Sequence, residues 1–254
     1  MKQTTSWGGV ADWYDDVVND SDSYQKNVLL PNMLRIVDPK KGLTVLDVAC
    51  GQGYFSRFFA GAGAKVIATD ISIELIEKAQ AGQIKESPVE YYVAPADDLS
   101  IIEPSSIDVA TIVLALQNIE NLQGTLSEIA RVLKPGGRLV FVLNHPAFRI
   151  PQRSDWGWDD KNATQYRRID SYISDDRVKI DMTPGEKDDK KKKFTVSFHR
   201  PLQVYFKAMN KAGLAVTRLE EWVSHKKSQE GPRAAEEDRM RKEIPLFVCV
   251  ECRK

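Results

Sequence analysis

Residues 44–54 read Thr-Val-Leu-Asp-Val-Ala-Cys-Gly-Gln-Gly-Tyr, a short apolar run that leads directly into Gly51 and Gly53. The run is rich in residues that favour a β-strand, and the residues from Tyr54 to Ala62 follow a helical pattern. Glycines between a strand and a helix let the backbone turn sharply and lie close to a ligand, because they have no Cβ atom. A single Gly-x-Gly is also compatible with a tight turn that binds nothing, so its meaning depends on the surrounding sequence.

Strands and helices alternate around this turn. Strand-like runs cover Thr44 to Ala49, Lys65 to Thr69, Val89 to Ala94, Ile107 to Leu114, Arg138 to Leu143, Ala215 to Trp222 and Pro245 to Cys252. Helical patterns cover Trp7 to Val18, Tyr24 to Val37, Tyr54 to Ala62, Ser72 to Ala81, Leu122 to Leu133 and Leu202 to Ala212. The pattern predicts an α/β fold with a doubly wound, mostly parallel sheet.

The alternation breaks between His145 and about Arg200, where Trp, Tyr, Arg, Asp and Lys become frequent. Tyr172 to Met182 and Lys193 to His199 are predicted to be irregular strands. The break follows the fifth strand, at the edge where ligands of such sheets bind, so we predict an inserted lid there. The expected organisation is an N-terminal helical cap at 1–38, a core domain at 39–144 plus 201–254, and the lid at 145–200.

The composition argues against several classes of protein. Lys and Arg total 36 and Asp and Glu total 36, so the balanced charge gives no electrostatic signature of nucleic-acid binding. No apolar run approaches the ~18 residues that cross a bilayer, and three cysteines do not suggest a disulfide framework. Cys249 and Cys252 have no further ligands nearby in sequence, so we expect no metal centre. These features predict a cytoplasmic protein that does not bind membranes.

Two acidic residues indicate which ligand the turn would bind. The second strand ends at Asp70, 17 positions after Gly53, and a carboxylate there can accept hydrogen bonds from both ribose hydroxyls of a nucleoside. A nicotinamide dinucleotide needs a third small residue beside its pyrophosphate, but aromatic residues follow Gly53 and Ser56 takes the third position. S-adenosylmethionine presents an ammonium group instead, and Asp47 lies near its expected place, although this acid could also cap the turn. The two acids favour S-adenosylmethionine over the cofactor of an oxidoreductase.

The chain resembles the class I S-adenosylmethionine-dependent methyltransferases at four segments. These are Val45 to Gly53, Val66 to Asp70 with Ile71 and Ser72, Ala94 to Leu99, and Ile107 to Leu143 with Leu-Lys-Pro-Gly-Gly at 133–137. Their order and spacing make the resemblance specific. It implies a seven-stranded sheet of the Rossmann-like type whose last strand runs antiparallel within a closing hairpin. It also implies S-adenosylmethionine as the methyl donor and S-adenosylhomocysteine as the product.

The resemblance implies site residues position by position. Asp47, Ala49, Gly51 and Gly53 would hold the methionine part of the cofactor, Asp70 the ribose, Ile71 the adenine face, Ala96 and Asp97 the adenine edge, and Leu114 to Gln117 the sulfonium. Pro95 stands where the family often has an acid, so Asp97 or Asp98 would contact the adenine amino group. Trp13 and Tyr14 resemble an N-terminal aromatic segment that closes over the cofactor, although they could equally form a hydrophobic helix face.

His145 is the candidate base, because it directly follows the fifth strand, where the acceptor should approach. A histidine with a near-neutral pKa can remove a proton from a phenol, hydroxyl or amine. The alternative is a histidine that only hydrogen-bonds the insertion to the sheet. Methyl transfer from a sulfonium is an in-line displacement that depends on positioning in a water-free site, so a base is needed only if the acceptor keeps its proton.

The insertion supplies the candidate acceptor-binding residues. Its aromatic and basic side chains suit an aromatic or carboxylate-bearing acceptor, because a guanidinium can bind a carboxylate through two parallel hydrogen bonds. An amphipathic lid that packs on the core domain would have the same composition. The candidates are Tyr166, Arg168, Tyr172, His199 and Arg200.

We therefore predict an enzyme that transfers a methyl group to O, N or C of a small-molecule acceptor. A nucleic-acid methyltransferase that holds a flipped base would carry an Asn/Asp-Pro-Pro-Tyr/Phe element after the fourth strand, whereas this chain has Leu-Ala-Leu-Gln at 114–117. Two alternatives stay open: a methyltransferase that acts on RNA, such as tRNA, and a non-catalytic protein that binds S-adenosylmethionine.

Overall fold

The computed structural model describes residues 21–183, 187–188 and 192–254. The strands of this part, numbered along the chain, are β1 (Thr44–Val48), β2 (Lys65–Asp70), β3 (Val89–Val93), β4 (Ile107–Val113), β5 (Leu133–Asn144), β6 (Ser154–Asp159), β7 (Thr164–Ile169), β8 (Asp176–Asp181), β9 (Phe194–His199), β10 (Ala215–Trp222) and β11 (Phe247–Arg253). The helix predicted over Trp7 to Val18, together with Tyr14, lies outside the described residues.

The central sheet has seven strands within the described residues, in the order β10-β11-β5-β4-β1-β2-β3. Strands β1 to β5 pair in parallel, whereas β11 is antiparallel to both of its neighbours, β5 and β10. The predicted α/β class, the mostly parallel sheet and the antiparallel last strand are therefore confirmed. The strand order reverses between β1 and β4, and the carboxyl ends of these two strands form the crevice where such sheets bind ligands.

Helices pack on both faces of the sheet. The helices are α1 (Leu30–Val37), α2 (Tyr54–Gly61), α3 (Ile73–Ala81), α4 (Leu122–Val132), α5 (Leu202–Lys211) and α6 (Ala234–Glu243). One buried apolar cluster joins the sheet to α4 and α5, and a second joins it to α1, α2 and α3. The middle strands are covered on both faces, which explains why the sequence is apolar almost throughout β4.

Local structure differs from the sequence-based expectation in several places. The helix predicted over Tyr24 to Val37 starts with a π-helical segment at Gln25–Leu29 before α1 begins. Strand β5 begins at Leu133, before the predicted start at Arg138, and so includes the Lys-Pro-Gly-Gly at 134–137. The β6–β7 pair and α6 had no sequence-based counterpart. Helix α6 has no buried residue. A helix without a buried face needs no periodic apolar residues, and the sequence therefore gives no helical pattern there.

Between β5 and α5 the chain forms two small antiparallel sheets, β6–β7 and β8–β9. In the first, Trp156 pairs with Arg167, and in the second Asp176 pairs with His199. Both sheets follow the carboxyl end of β5, so they stand at the same edge of the central sheet as the crevice. Among the described residues, no helix combines the length and apolar character needed to cross a bilayer.

Candidate functional site

The turn after β1 has a backbone that places several residues in the left-handed region. Ala49, Gly51 and Gly53 have φ values of 54°, 58° and 74°. The Cys50 N–H donates to the Thr69 carbonyl at 2.9 Å, which joins this turn to the end of β2. The chain between β1 and α2 is thus bent tightly against the neighbouring strand.

The Asp70 carboxylate connects the two loops at this edge. Its Oδ2 accepts a hydrogen bond from the Gly51 N–H and its Oδ1 accepts one from the Ser72 N–H, both at 2.9 Å. Burial raises the pKa of Asp70, while these backbone hydrogen bonds act in the opposite direction. A carboxylate offers about four acceptor positions. Asp70 can therefore hold the turn and still accept hydrogen bonds from a ligand.

Asp47 is buried at the end of β1 and is held by two hydroxyl groups. Ser56 Oγ donates to its Oδ2 at 2.5 Å, and Thr111 Oγ1 of β4 donates to its Oδ1 at 2.9 Å. Burial raises the pKa of Asp47 to about 6, against the effect of these hydrogen bonds. In the sequence, Ser56 stood out only as a position without glycine. Its hydroxyl is a partner of the buried acid.

Gly53 leaves room for the side chain of Tyr91 on β3. A Cβ atom at position 53 would lie 2.4 Å from Tyr91 Oη. Gly53 also has a left-handed backbone that other residues rarely adopt. Steric space and backbone conformation therefore both require glycine here.

The residues predicted to contact adenine follow the carboxyl ends of β2 and β3. Ile71 is an exposed apolar side chain, 52% accessible, directly after the carboxylate. Ala96 packs against the core, and Asp97 Oδ2 accepts a hydrogen bond from Asn121 Nδ2 at 2.8 Å. An exposed isoleucine next to a polar anchor is the kind of surface on which a flat base can pack.

The loop after β4 contributes a buried amide. Leu114 has a φ of 54°, and its carbonyl accepts a hydrogen bond from Gln117 Nε2 at 2.8 Å. Gln117 Oε1 is buried without a hydrogen-bond partner among the described residues. A buried acceptor without a partner costs free energy. The loop thus presents an acceptor that a ligand could satisfy.

A narrow pocket of about 20 Å³ lies at the carboxyl end of β1, with about the space of one water molecule. It combines predicted residues with others that the sequence analysis did not select. Gln25 of the π-helical segment and the aromatic residues at the start of α2 were missed. Position 25 gave no signal, because it lies within an ordinary helical pattern. The lining residues are Gln25, Asp47, Ala49, Cys50, Tyr54, Phe55 and Val113.

His145 is buried and has a protein partner at each ring nitrogen. The Ala147 N–H donates to His145 Nδ1 at 3.2 Å, so the ring proton is on Nε2, which donates to Glu221 Oε1 at 2.7 Å. Burial lowers the pKa of His145, against the effect of Glu221. These contacts favour the anchoring role over the base role. The base role stays a prediction that would require one of the two contacts to open.

The five acceptor-binding candidates do not form one cluster. Arg200 and Tyr172 fasten the lid to the core: Arg200 Nη2 donates to the carbonyls of Ile119 and Glu120 at 2.9 and 2.8 Å, and the Tyr172 hydroxyl accepts a hydrogen bond from the Leu202 N–H at 3.1 Å. His199 Nε2 donates to the Tyr172 carbonyl at 2.8 Å, a contact within the lid. Tyr166 and Arg168 are exposed on β7, and Arg168 pairs with Asp170. The role of these five residues in acceptor binding stays a prediction.

A larger cavity of about 250 Å³ lies between the lid, the start of the π-helical segment and the chain between β10 and β11. Arg167 lines it, although Arg167 lies between the predicted candidates Tyr166 and Arg168. Alternation along a strand explains the difference, because neighbouring residues point to opposite faces. The lining residues are Tyr24, Arg149, Trp156, Arg167, Ser224, Arg241, Ile244 and Leu246.

The chain is similar in sequence to proteins of known family. Residues 46–141 match the family model described as a methyltransferase domain. A demethylmenaquinone methyltransferase of Clavibacter sepedonicus is 39% identical over 106 residues, 42% of this chain and 43% of that protein. A ubiquinone biosynthesis O-methyltransferase of Xanthomonas euvesicatoria pv. vesicatoria is 34% identical over 126 residues, 47% of this chain and 53% of that protein. The chain spans about half the length of these curated relatives.

The fold likeness extends over most of the chain. A crystal structure of an S-adenosylmethionine-dependent methyltransferase from Mesorhizobium loti has a TM-score of 0.67 and 24% identity, with 88% of this chain and 96% of that one covered. The sheet order and the domain match define a Rossmann-like methyltransferase domain. Residues 46–141 carry a methyltransferase domain where the sequence motifs predicted one, and the fold of the described residues is similar to that of S-adenosylmethionine-dependent methyltransferases.

We expect Gly53→Ala to lower the free energy of unfolding by about 1–3 kcal/mol, because the new Cβ meets Tyr91 and the backbone is left-handed. Urea denaturation measures the change. Gly61→Ala is the matched control, because it lies in α2 with nothing within 4 Å of its Cβ position. The control should be neutral or gain up to about 1 kcal/mol. Equal stability of the two variants would contradict the assignment.

We expect Asp47→Asn to raise the free energy of unfolding by about 1–3 kcal/mol at pH 7.5, because a pKa raised from 3.8 to about 6 disfavours the ionised form in the folded state. The folded carboxyl group keeps its proton up to a higher pH than the unfolded one. The penalty therefore grows between about pH 4 and pH 6 and is complete above pH 6. Urea denaturation of both proteins from pH 4 to 7.5 measures the difference.

Asp108→Asn is the control of opposite sign for this series. Although burial acts to raise it, the pKa of Asp108 is lowered by hydrogen bonds from Lys134 and from the Thr44 N–H. Asp108→Asn should therefore destabilise the protein by about the same amount from pH 7.5 to pH 4, because this stabilisation is lost only as the pH falls below the ordinary value of 3.8. A gain from Asp47→Asn that is the same at pH 4 and pH 7.5 would show that the acid is not perturbed.

Proposed function

We propose that the protein transfers the methyl group of S-adenosylmethionine to O, N or C of a small-molecule acceptor. The observation that carries the proposal is the Asp70 carboxylate, which holds the Gly51 turn while keeping acceptor capacity for a ribose. The names of the relatives support a small-molecule acceptor. The balanced charge of 36 basic and 36 acidic residues supports it over RNA.

The groups at this edge fit the chemistry of the cofactor. Asp70 has free acceptor positions for ribose hydroxyls, Ile71 offers an exposed apolar face for adenine, and Gln117 Oε1 is a buried acceptor without a partner. Asp47 would supply negative charge for the ammonium group, together with the backbone at Gly51. Gln25 of the π-helical segment lines the narrow pocket together with Asp47.

When bound, S-adenosylmethionine supplies an electrophilic methyl carbon on a sulfonium. The contribution of the protein is to bind, orient and exclude water, which can supply much of the acceleration of an in-line displacement. The lid is fastened over this edge by Arg200 and Tyr172, whose hydroxyl accepts a hydrogen bond from the Leu202 N–H at 3.1 Å. A fixed lid favours a closed reaction site without bulk water.

The proposal is tested with S-adenosylmethionine labelled in its methyl group. The protein is incubated with the label and either a small-molecule extract or bulk RNA, and the labelled product is isolated. Label in a small molecule supports the proposal. Label in RNA would replace it with the RNA methyltransferase, and affinity for the cofactor without any labelled product would identify a non-catalytic binder.

We expect Asp70→Asn to weaken S-adenosylhomocysteine binding by about 1–3 kcal/mol, the scale of hydrogen bonds to a charged group. Calorimetric titration measures the affinity. Asp108→Asn is the matched control, because Asp108 lies at the start of β4, where the strands have their amino ends. The cofactor residues lie at the carboxyl ends of the strands. An unchanged affinity of Asp70→Asn would remove this carboxylate from the cofactor site.

His145→Gln separates the two roles of the histidine. Its contacts with Glu221 and Ala147 lead us to expect a loss of about 1–2 kcal/mol in the free energy of unfolding and turnover within about threefold of the wild type. Turnover is measured on the acceptor found with the label, and S-adenosylhomocysteine affinity serves as the control. A loss of about 100-fold or more with unchanged affinity would instead identify His145 as a general base.

A further inference from the structure

The 250 Å³ cavity carries an unusual concentration of positive charge. Three arginines line it, Arg149 after β5, Arg167 on β7 and Arg241 on α6, each from a different part of the chain. The remaining lining is formed mainly by Tyr24, Trp156 and two aliphatic side chains. The cavity therefore combines guanidinium groups with apolar and aromatic walls.

Neutral acceptors orient two of these guanidinium groups. Arg149 Nη1 donates to Asn144 Oδ1 at 2.7 Å. Arg167 Nε donates to the Phe148 carbonyl at 2.7 Å, and its Nη2 donates to Ser154 Oγ at 2.9 Å. A guanidinium has five N–H donors. These contacts position both groups and use only part of their donor capacity.

Within the described residues, none of the three cavity arginines forms an ion pair with a carboxylate. The neighbouring Arg168 does so, with Asp170 at 2.7 Å. Burial lowers the pKa of Arg149 and of Arg167, and the charge of Arg167 also acts to lower the pKa of Arg149. Tyr24 and Asp155 act in the opposite direction on Arg149 and Arg167, but neither forms an ion pair with them. Half-buried like charges that form no ion pair are unfavourable. An anion in the cavity would remove this penalty.

The walls and the volume limit the size of that anion. The Arg167 guanidinium carbon lies 5.1 Å from the centre of the Trp156 ring, so the charge and the aromatic surface are adjacent. The volume of about 250 Å³ lies just below the usual range for drug-sized ligands. A single ring that carries one acid group suits this space.

The cavity adjoins the edge that holds the cofactor residues. Asn144, which holds Arg149, is the last residue of β5, next to the β4 loop. Tyr24 lines the arginine cavity, while the next residue, Gln25, lines the narrow pocket beside Asp47. Two consecutive residues thus line the arginine cavity and the narrow pocket beside Asp47.

We propose that this cavity binds the methyl acceptor through its carboxylate, with Arg149 and Arg167 as the binding groups and a one-ring aromatic acid as the substrate class. The assignment rests on the proposed methyl transfer. The carboxylate accepts hydrogen bonds from the free N–H groups of the two arginines. The ring lies against the apolar walls, and the atom to be methylated lies on the side of Tyr24.

The test uses benzoate as the acid, benzamide as its neutral counterpart and sulfate as a simple anion, each titrated by calorimetry into the full-length protein. We expect benzoate to bind at least about tenfold more tightly than benzamide, and added NaCl to weaken benzoate selectively. R149Q and R167Q should each weaken benzoate by about tenfold or more, the loss of a charged hydrogen bond. R153Q, which changes an exposed lid arginine that pairs with Asp176 and does not line the cavity, should stay within about twofold.

Several results would overturn the assignment. These are no benzoate binding, equal binding of benzamide, equal binding of sulfate, or R149Q and R167Q proteins that bind benzoate like the wild type. Each variant is also titrated with S-adenosylhomocysteine, whose affinity should be unchanged and reports an intact fold. If benzoate binding depends on the two arginines but S-adenosylhomocysteine does not bind, the methyl-donor proposal fails and the acid site stands.

Discussion

The hydrogen bonds from the Gly51 and Ser72 amides to the Asp70 carboxylate are the contacts on which the candidate site depends. One carboxylate at the end of β2 fastens the turn that follows β1 and the start of α3. A negative side chain is suited to this place because backbone N–H groups at helix starts and in glycine turns point outward without partners. The same carboxylate keeps acceptor positions free, so one side chain can both stabilise the two loops and bind a ligand.

Burial of two acids at the same edge has an electrostatic cost. The charge of Asp70 is one of the causes that raise the pKa of Asp47, after the larger effect of burial. The Ser56 and Thr111 hydroxyls compensate only part of this cost. In the proposed arrangement a cationic donor lies in the acidic pocket and an anionic acceptor in the basic cavity beside it. The two charges of the reactants would then each meet a complementary charge on the protein.

The lid shows how far adjacent residues can differ in role. Arg167 faces the cavity and stacks on Trp156, whereas Arg168 is exposed and paired with Asp170. Sequence reasoning selected Arg168, because composition cannot tell which face of a strand is turned inward. His145 was selected for its place after β5. Its role depends on Glu221, 76 residues later, and no local pattern indicates that contact.

The family resemblance implied the antiparallel last strand. The sequence by itself determined the alternation of strands and helices and the acid–glycine–acid arrangement around Asp47, Gly53 and Asp70. Local spacing and hydrophobic period are sufficient for these features, because parallel strands bring their carboxyl ends to one edge. Only the tertiary structure decided that Tyr91 requires glycine at position 53, and that Arg149 and Arg167 line one cavity without a carboxylate partner in the described residues. Such contacts join residues far apart in the chain, so packing and register determine them, not local pattern.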